Sequence, residues 1–455
     1  MKHLRIFETE QEMTAAVTAD KVSFIGMVER QGQAPIMAVH VHVPVYPSNL
    51  VISCSNNVVT ISATNATTIE YKLSYEGTYT TYTEPFEITE TVTVWAKAST
   101  SDGSIEAHQE CVYVEPIDYT IPFYIEDISG TDNTVSITKN SSAPALTIEK
   151  STDGETWENM GTTSAAGITA TVPANGKLYL RCNTIRWVNA YGDYNYINTT
   201  SNCNVGGNIM SLLYGTDFTG EETTFPGGTE NIANIFRNNT HIVNASDLIL
   251  PATTLTDKCY YQMFYGCTSL TTTPVLPATT LATNCYGYMF GNCSSLTTAP
   301  ALPVTTLANY CYESMFNGCT SLTTAPELLA TTMAQYCYKQ MFQGCTALTS
   351  APALPATTLA QECYREMFYG CTSLTSAPVL PAPTLAQYCY TQMFYNCTNL
   401  NYIKCLATNI SASYCTNFWV RGVAASGTFV KNSSMSSWTR GNDGIPTNWT
   451  VQDNS

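Results

Sequence analysis

Charged residues are scarce in this sequence: of 455 residues only 12% are Asp, Glu, Lys or Arg, about half the usual share for a soluble domain. Lys and Arg number 19 against 35 Asp and Glu, a net charge of −16. Phosphate binding through counterion release needs clustered cations. Here they are few and scattered, so nucleic acid is not expected as a partner. No stretch approaches the ~18 unbroken apolar residues of a membrane span, and no membrane span is expected. Histidine is limited to His3, His40, His42, His108 and His241. With no Cys-x-x-Cys and no histidine after 241, a zinc site has little to build on. Serine-hydrolase, phosphate-loop and His-Glu-x-x-His motifs are missing. Glu221 and Glu222 are adjacent rather than spaced as a glycosidase pair. The expectation is a protein that is not an enzyme, with no catalytic residue, no metal and no cofactor. The opening residues reach Glu8 before any apolar segment forms, so no secretory signal is expected. The chain is then expected to fold in a cytoplasm where thiols stay reduced.

What is abundant is cysteine, 18 residues, together with 29 Tyr and 44% hydrophobic residues. The cysteines are periodic. One series stands at 259, 285, 311, 337, 363, 389 and 415, a second at 267, 293, 319, 345, 371 and 397, both stepping by 26. Six units are well formed, a degenerate one precedes them with Asn239 at the cysteine position, and Trp419 closes the series where the others have Met. Such a period signals stacked units that bury their cores only against each other. Within a unit, Thr280, Thr306, Thr332, Thr358 and Thr384 read as helix N-caps, with Gln335, Gln361 and Gln387 completing a capping box in three copies. Gly266, Asn292, Gly318, Gly344, Gly370 and Asn396 suit a left-handed stop. The expected helix is about three turns long. On its wheel Leu281, Ala282, Cys285, Tyr286, Met289, Phe290 and Cys293 form the core half. Thr283, Asn284, Gly287, Tyr288 and Gly291 form the exposed arc. The following Ser-Leu-Thr-Thr is expected to stack as a parallel ladder, and Pro300 and Pro303 to keep the return limb extended. The cysteines read as small apolar fillers, a disulfide between coils being the minor alternative.

On the exposed arc Tyr310, Tyr336 and Tyr388 share one position and Tyr265, Tyr369 and Tyr395 another, seven residues on. Stacked coils would make them a ridge suited to sugars or proteins; drift within a tyrosine-rich repeat is the plainer reading. From Cys259 to Ile403 only Glu313, Glu327, Lys339, Glu362, Arg365 and Glu366 are charged, which suggests a surface for neutral ligands.

Met263-Phe-Tyr-Gly-Cys-Thr-Ser-Leu-Thr271 and its copies resemble the BspA-type leucine-rich repeat. Met in place of Ala and a longer unit are departures from it. The resemblance implies adhesion or ligand display. The closing segments at 422–431 and 444–451 resemble the C-terminal cap of such proteins from gut Bacteroidales and their phages. Residues 1–46, with a capping box at Thr9 to Glu12, a helix to about Ala19, and strands over 21–29 and 35–45, resemble the N-terminal module of Bacteroides phage virion proteins. His40 and His42 share a strand face; in a trimer they could ring a metal, though a solvated pair is the simpler reading. Residues 47–115 alternate as a β-sandwich similar to the immunoglobulin-like modules of chitobiase-type enzymes, with Trp95 in the core. Cys54 and Cys111 could meet there, but a reducing cytoplasm favours thiols. A second β-rich module covers 116–204, with an Asp-Gly hairpin turn at Asp153.

The resulting expectation is a multidomain chain. A small α+β module spans 1–46, Ig-like β-sandwich modules span 47–115 and 116–204, a right-handed leucine-rich-repeat-type α/β solenoid with its cap spans 205–400, and a C-terminal cap spans 401–455. Functionally it reads as a phage virion appendage, assembled in the host cytoplasm and released by lysis. Other virion proteins would hold the N-terminal module, and the solenoid would bind a host-surface or mucosal glycan or protein. A homo-oligomer such as a trimer is open. A Bacteroidales surface adhesin and a carbohydrate-active enzyme with an accessory Ig-like module are the alternatives.

Overall fold

The computed structural model describes residues 45–113, 116–140, 142–188, 193–436 and 438–454 in full, and the backbone of 3–7, 22–30 and 33–41. The chain divides into two compact units, Met1–Ile117 and Asp118–Ser455.

In the first unit, strands His3–Phe7, Gln33–Val41 and Val22–Arg30 form an antiparallel sheet with Gln33–Val41 in the centre. The first of these strands was not expected. The expected helix to Ala19, His42 and the side chain of His40 lie outside the described residues. Two further antiparallel sheets follow. One joins Ser48–Ser55, Val58–Thr64 and Phe86–Glu87; the other joins Gly103–Cys111, Val92–Thr100, Thr68–Lys72 and Thr80–Thr81. They share a core of Val59, Ile61, Ile88, Val94, Ala96 and Cys111. Strand alternation decides the fate of Trp95. With Val94, Ala96 and Ala98 buried inward, Trp95 points to the other face, where it is half-buried and stacks on His108 at 4.4 Å. It is therefore not a core residue. Cys54 and Cys111 are joined as a disulfide, with Cα atoms 5.5 Å apart, a separation ordinary for such a bond. The expectation of two thiols is corrected.

The second unit has one continuous core from Phe123 to Trp449. Its N-terminal part contains two sheets, the smaller antiparallel and the larger mixed. The smaller has Asn133–Lys139 between Ile168–Val172 and Asn195–Thr199. The larger runs through Glu158–Thr162, Thr147–Ser151, Lys177–Arg181, Tyr124–Asp127 and Cys203–Asn208. The Asp-Gly turn forms as expected: Asp153 accepts from Ser151 Oγ and from the Glu155 and Thr156 amides, and Gly154 takes φ 80°.

Cys203–Asn208 is the hinge of the architecture. It pairs antiparallel with Tyr124–Asp127 on one side and parallel with Ile242–Asn244 and Leu248–Ile249 on the other. The division expected near 204 is thus bridged by a shared strand. Gly207, at φ 72°, permits this, because a Cβ there would run into the Pro122 carbonyl. Val205 of this strand and Ile209, Met210, Leu212 and Leu213 after it are buried and cover the apolar end of the repeats.

The repeats depart from expectation in their local structure. Among the described residues the one α-helix is the single turn Ser211–Tyr214. Where a helix was expected in each unit, the backbone forms consecutive turns instead. In the coil around Met289, the amides of Cys285, Gly287, Met289, Gly291 and Cys293 donate three residues back, at 3.0–3.3 Å. The amides between them, Asn284, Tyr286, Tyr288, Phe290 and Asn292, donate to Asn309, Cys311, Glu313, Met315 and Asn317 of the next coil at 2.6–3.2 Å. The carbonyls of Thr283, Cys285, Gly287, Met289 and Gly291 accept from Lys258, Tyr260, Gln262, Phe264 and Gly266 of the preceding coil. A helix would satisfy these groups internally; this turn ribbon divides them between its own turns and its neighbours.

Every fourth residue of the ribbon is left-handed: Asn284 (φ 55°), Tyr288 (φ 54°) and Asn292 (φ 59°). Each is the third residue of a turn, the position where type II turns need Gly or Asn. The expected stop residues are left-handed, Gly266 at φ 76° and Asn396 at φ 57° among them, but they end the ribbon rather than a helix. The supposed N-cap threonines instead make isolated parallel bridges, Thr254 to Thr280 and Thr332 to Thr358. The Ser-Leu-Thr-Thr ladder is likewise reduced to single bridges such as Thr298 to Thr324.

The core itself is as expected at Cys285, Tyr286, Met289, Phe290 and Cys293, all 0–1% exposed, whereas Leu281 and Ala282 are half-buried. Met289, Phe290 and Leu296 each contribute on the order of 1.5–3 kcal/mol of gross burial. Two aromatic columns run through the stack. Tyr260, Tyr286, Tyr312, Tyr338, Tyr364 and Tyr390 follow one another at centroid spacings of 5.7–6.1 Å. The Phe236 to Phe394 column has spacings of 5.1–5.8 Å. Both end on Trp419, which meets Tyr390 at 6.2 Å and Phe394 at 6.3 Å, and whose indole donates to the Gly444 carbonyl. A parallel sheet of Tyr402–Cys405, Thr428–Asn432 and Thr450–Asn454 closes that end.

Candidate interaction face on the turn ribbon

The ribbon repeats with a period of four, two residues in and two out. Cys285 and Tyr286, then Met289 and Phe290, then Cys293 face the core. The residues between them form the outer face of each coil, so the same four or five columns recur at every 26-residue step. Side chains on this face are rigidly placed, because their backbone is hydrogen-bonded both within the turn and to the adjacent coils.

The structure brings the six tyrosines together in pairs rather than in one ridge. Tyr310 and Tyr336 stack at 4.3 Å with ring planes 4° apart. Tyr369 and Tyr395 stack at 4.8 Å and 2°. Tyr388 pairs with Tyr414 at 5.1 Å. The column of Tyr310 is interrupted at Glu362, so Tyr336 and Tyr388 do not form a continuous stack. Tyr265 stands apart from Tyr369 and Tyr395. It meets Tyr288 edge-on at 6.4 Å, lies 5.2 Å from the Arg237 guanidinium, and its hydroxyl accepts from Asn292. All six are half-buried. Burial, followed by the nearby Glu362, pushes the Tyr336 phenol up to about 12, so it stays a neutral donor.

Gly287 and Gly291, expected to be exposed, are buried. Tyr261 and Tyr265 of the preceding coil cover them, and a Cβ at either would come within 3.0 Å of a ring atom. Glycine here provides the seat for a neighbouring aromatic.

Charge on this face is almost entirely satisfied within the protein. Lys258 pairs with Glu230 at 2.9 Å and Lys339 with Glu313 at 3.0 Å. Arg365 bonds both Glu362 and Glu366, and Gln340 donates to Glu366 at 2.8 Å. Arg237 donates to Gln262 at 2.7 Å. Sequence reading placed Tyr288 on the exposed arc but missed Tyr261, Tyr414, Phe418 and Arg421 as members of the face. The signal was available: they occupy the same columns, at steps of 26, as the residues it selected.

The cysteines are more than fillers. The thiols of Cys267, Cys293, Cys319, Cys345, Cys371 and Cys397 each donate to the carbonyl of a Phe 29 or 31 residues earlier, at 2.9–3.2 Å. Asn239 does the same with its side-chain amide, donating to Ile197 O at 3.2 Å. That explains why a polar residue can replace cysteine in the first unit. Every repeat cysteine is a buried free thiol, so no disulfide joins the coils. Glu222, considered with Glu221, accepts from the Thr219 and Gly220 amides as a local turn closure.

Among the described residues no helix is long and apolar enough to cross a membrane. No curated protein and no solved structure gives a significant match to the chain. Residues 219–339 and 316–421 match the family model of the BspA type leucine-rich repeat region, in six copies. The stacked coils over 219–421 thus carry leucine-rich repeats of the BspA type.

Proposed function

We propose that the chain is a non-enzymatic adhesion protein whose repeats form a solenoid that presents the turn-ribbon face to a glycan or protein on a host or mucosal surface. The observation that carries this reading is the set of stacked tyrosine pairs, Tyr310 with Tyr336, Tyr369 with Tyr395 and Tyr388 with Tyr414. Tyrosine supplies large amphipathic contact area at low conformational-entropy cost. Here pairing and the hydrogen-bonded turns have already removed most of that freedom, and preorganisation of this kind favours binding. BspA-type repeats support the adhesion class. In its finer form the proposal is a phage virion appendage, with residues 1–46 docking on the particle and the β-rich segments acting as a stalk. Replacing Tyr310, Tyr336 and Tyr388 together by serine is expected to abolish attachment to host cells; unchanged attachment would remove the tyrosine face from the reading. Mass spectrometry of purified virions that fails to find the chain would remove the virion form.

The Cys54–Cys111 disulfide favours a second reading, an exported Bacteroidales surface adhesin, since disulfides persist outside the reducing cytoplasm. Antibody labelling of intact, unlysed cells separates the two. Surface signal supports the adhesin, and its absence supports release by lysis.

A further inference from the structure

The last two coils differ from the rest of the turn-ribbon face. Tyr414 and Phe418 are 60% and 37% exposed, the most open aromatic residues of the stack. Both are left-handed, Tyr414 at φ 56° and Phe418 at φ 50°, where bulky side chains are unfavourable and Gly or Asn would be easier. Backbone anchors hold them there: Thr391 Oγ1 donates to the Tyr414 carbonyl at 2.6 Å, and the Phe418 amide donates to Asp443.

Arg421 completes the patch. It is exposed, and its guanidinium lies 5.5 Å from the Tyr395 ring and 5.6 Å from the Phe418 ring. Lys258, Lys339, Arg365 and Arg237 on the same face all bond to side-chain oxygens. Among the described residues Arg421 has no such partner, and the nearby Asp443 carboxylate already accepts from the Phe418 amide. The guanidinium fork matches a carboxylate or sulfate group. Between two rings it loses little freedom on engaging one. Tyr414 and Phe418 beside it offer apolar surface for the C–H faces of a sugar ring.

We propose that this patch binds an acidic saccharide, with Arg421 taking its carboxylate or sulfate group and Tyr414, Phe418 and Tyr395 contacting its ring. The proposal rests on the adhesion reading and gives it a place and a ligand class. It departs from the neutral ligand suggested by the charge-poor sequence.

The test measures binding of the full chain to immobilised polygalacturonate, dextran sulfate, uncharged dextran and poly-glutamate on a biosensor. At least one acidic saccharide is expected to bind at least tenfold more tightly than dextran. Preference for polygalacturonate would identify a carboxylate, and preference for dextran sulfate a sulfate ester. Arg421→Gln and Phe418→Asn should each weaken that binding at least tenfold. Phe418→Asn suits the left-handed backbone, so its loss would not reflect misfolding. Lys404→Gln, on the strand Tyr402–Cys405, should leave it unchanged. Equal binding of dextran, equal binding of poly-glutamate, or an Arg421→Gln chain that binds like the parent would overturn the proposal. If no saccharide binds while the Tyr310, Tyr336, Tyr388 triple variant still loses cell attachment, this inference fails and the adhesion reading stands.

Discussion

The thiol of Cys293 donates to the carbonyl oxygen of Phe264 in the preceding coil, 3.1 Å away. That carbonyl also accepts the amide of Cys267 at 3.0 Å. Cysteine therefore meets three demands at this position: it is small, it is apolar enough to be buried, and it carries a donor. Cys319→Ala, which removes the equivalent bond to Phe290 O and leaves a small void, should lower stability by about 1–2 kcal/mol in urea denaturation.

Burial pushes the thiols of Cys293, Cys345 and Cys371 well above their ordinary value. The thiolate is the reactive form. At pH 8 the native protein should leave all sixteen free cysteines unmodified by a disulfide reagent such as DTNB. In guanidinium chloride all of them should react. Rapid native labelling of several thiols would contradict the packed columns.

Gln392 distinguishes the turn ribbon from a helix by the sign of one substitution. It is left-handed, at φ 52°. In a helix, Gln392→Gly would cost about 1 kcal/mol. At this turn position it should raise stability by roughly 0.5–1 kcal/mol, because glycine accepts the conformation without strain. Thermal denaturation reads the direction of the shift.

Trp419 seals both aromatic columns at once. Trp419→Ala would expose or empty the ends of the Tyr390 and Phe394 stacks and strip the Gly444 carbonyl of its indole donor. A loss of about 3–5 kcal/mol is expected, visible as a large fall in the unfolding midpoint. Trp419→Phe should recover part of it.

Asp127, 2% exposed, is buried in the β-rich part of the second unit. Burial pushes its carboxyl up, but hydrogen bonds from Ser129 Oγ and from the Asn175, Ser129 and Gly130 amides outweigh this and hold it below its usual value. A depressed native value means stability that is present above the unfolded value of about 4 and is lost as pH falls through the native one. Asp127→Asn should lose less stability than the parent as pH falls below about 4, as followed by circular dichroism.

The period, the buried columns and the caps are readable in the sequence because they depend on residue identity at fixed spacing. Cys285, Tyr286, Met289 and Phe290 recur too regularly to be anything but core. The local conformation was less accessible. The spacing 285, 286, 289, 290, 293 resembles a helical face, yet its period is four. A helix would drift by about 40° at each such step, whereas a ribbon of turns keeps the residues in line. The Asn284 and Asn292 pair, eight residues apart, was a further hint of left-handed positions at steps of four. Trp95 was misplaced because the resemblance to immunoglobulin-like modules was followed over the alternation of Val94 and Ala96. At the candidate face, the columns could be found from sequence. Which tyrosines pair, and that Glu362 divides one column, depends on the side chains of adjacent coils. That Arg421 is left without an oxygen partner could not be inferred from sequence, since it depends on where each carboxylate lies.

The amides from Asn284 to Asn292 bond forward through the same five links as those from Tyr310 to Gly318. One rung is therefore interchangeable with the next. Removing residues 312–337 would join Cys311 to Tyr338 and restore the same Cys-Tyr step that stood there before. Duplicating them would do the reverse. The stack of coils is in effect graduated: slippage between near-identical stretches of the gene could lengthen or shorten it in increments of about 4.8 Å. The deletion would take Tyr336 and its pairing with Tyr310 with it, whereas the Tyr369–Tyr395 and Tyr388–Tyr414 pairs would persist and both ends stay sealed.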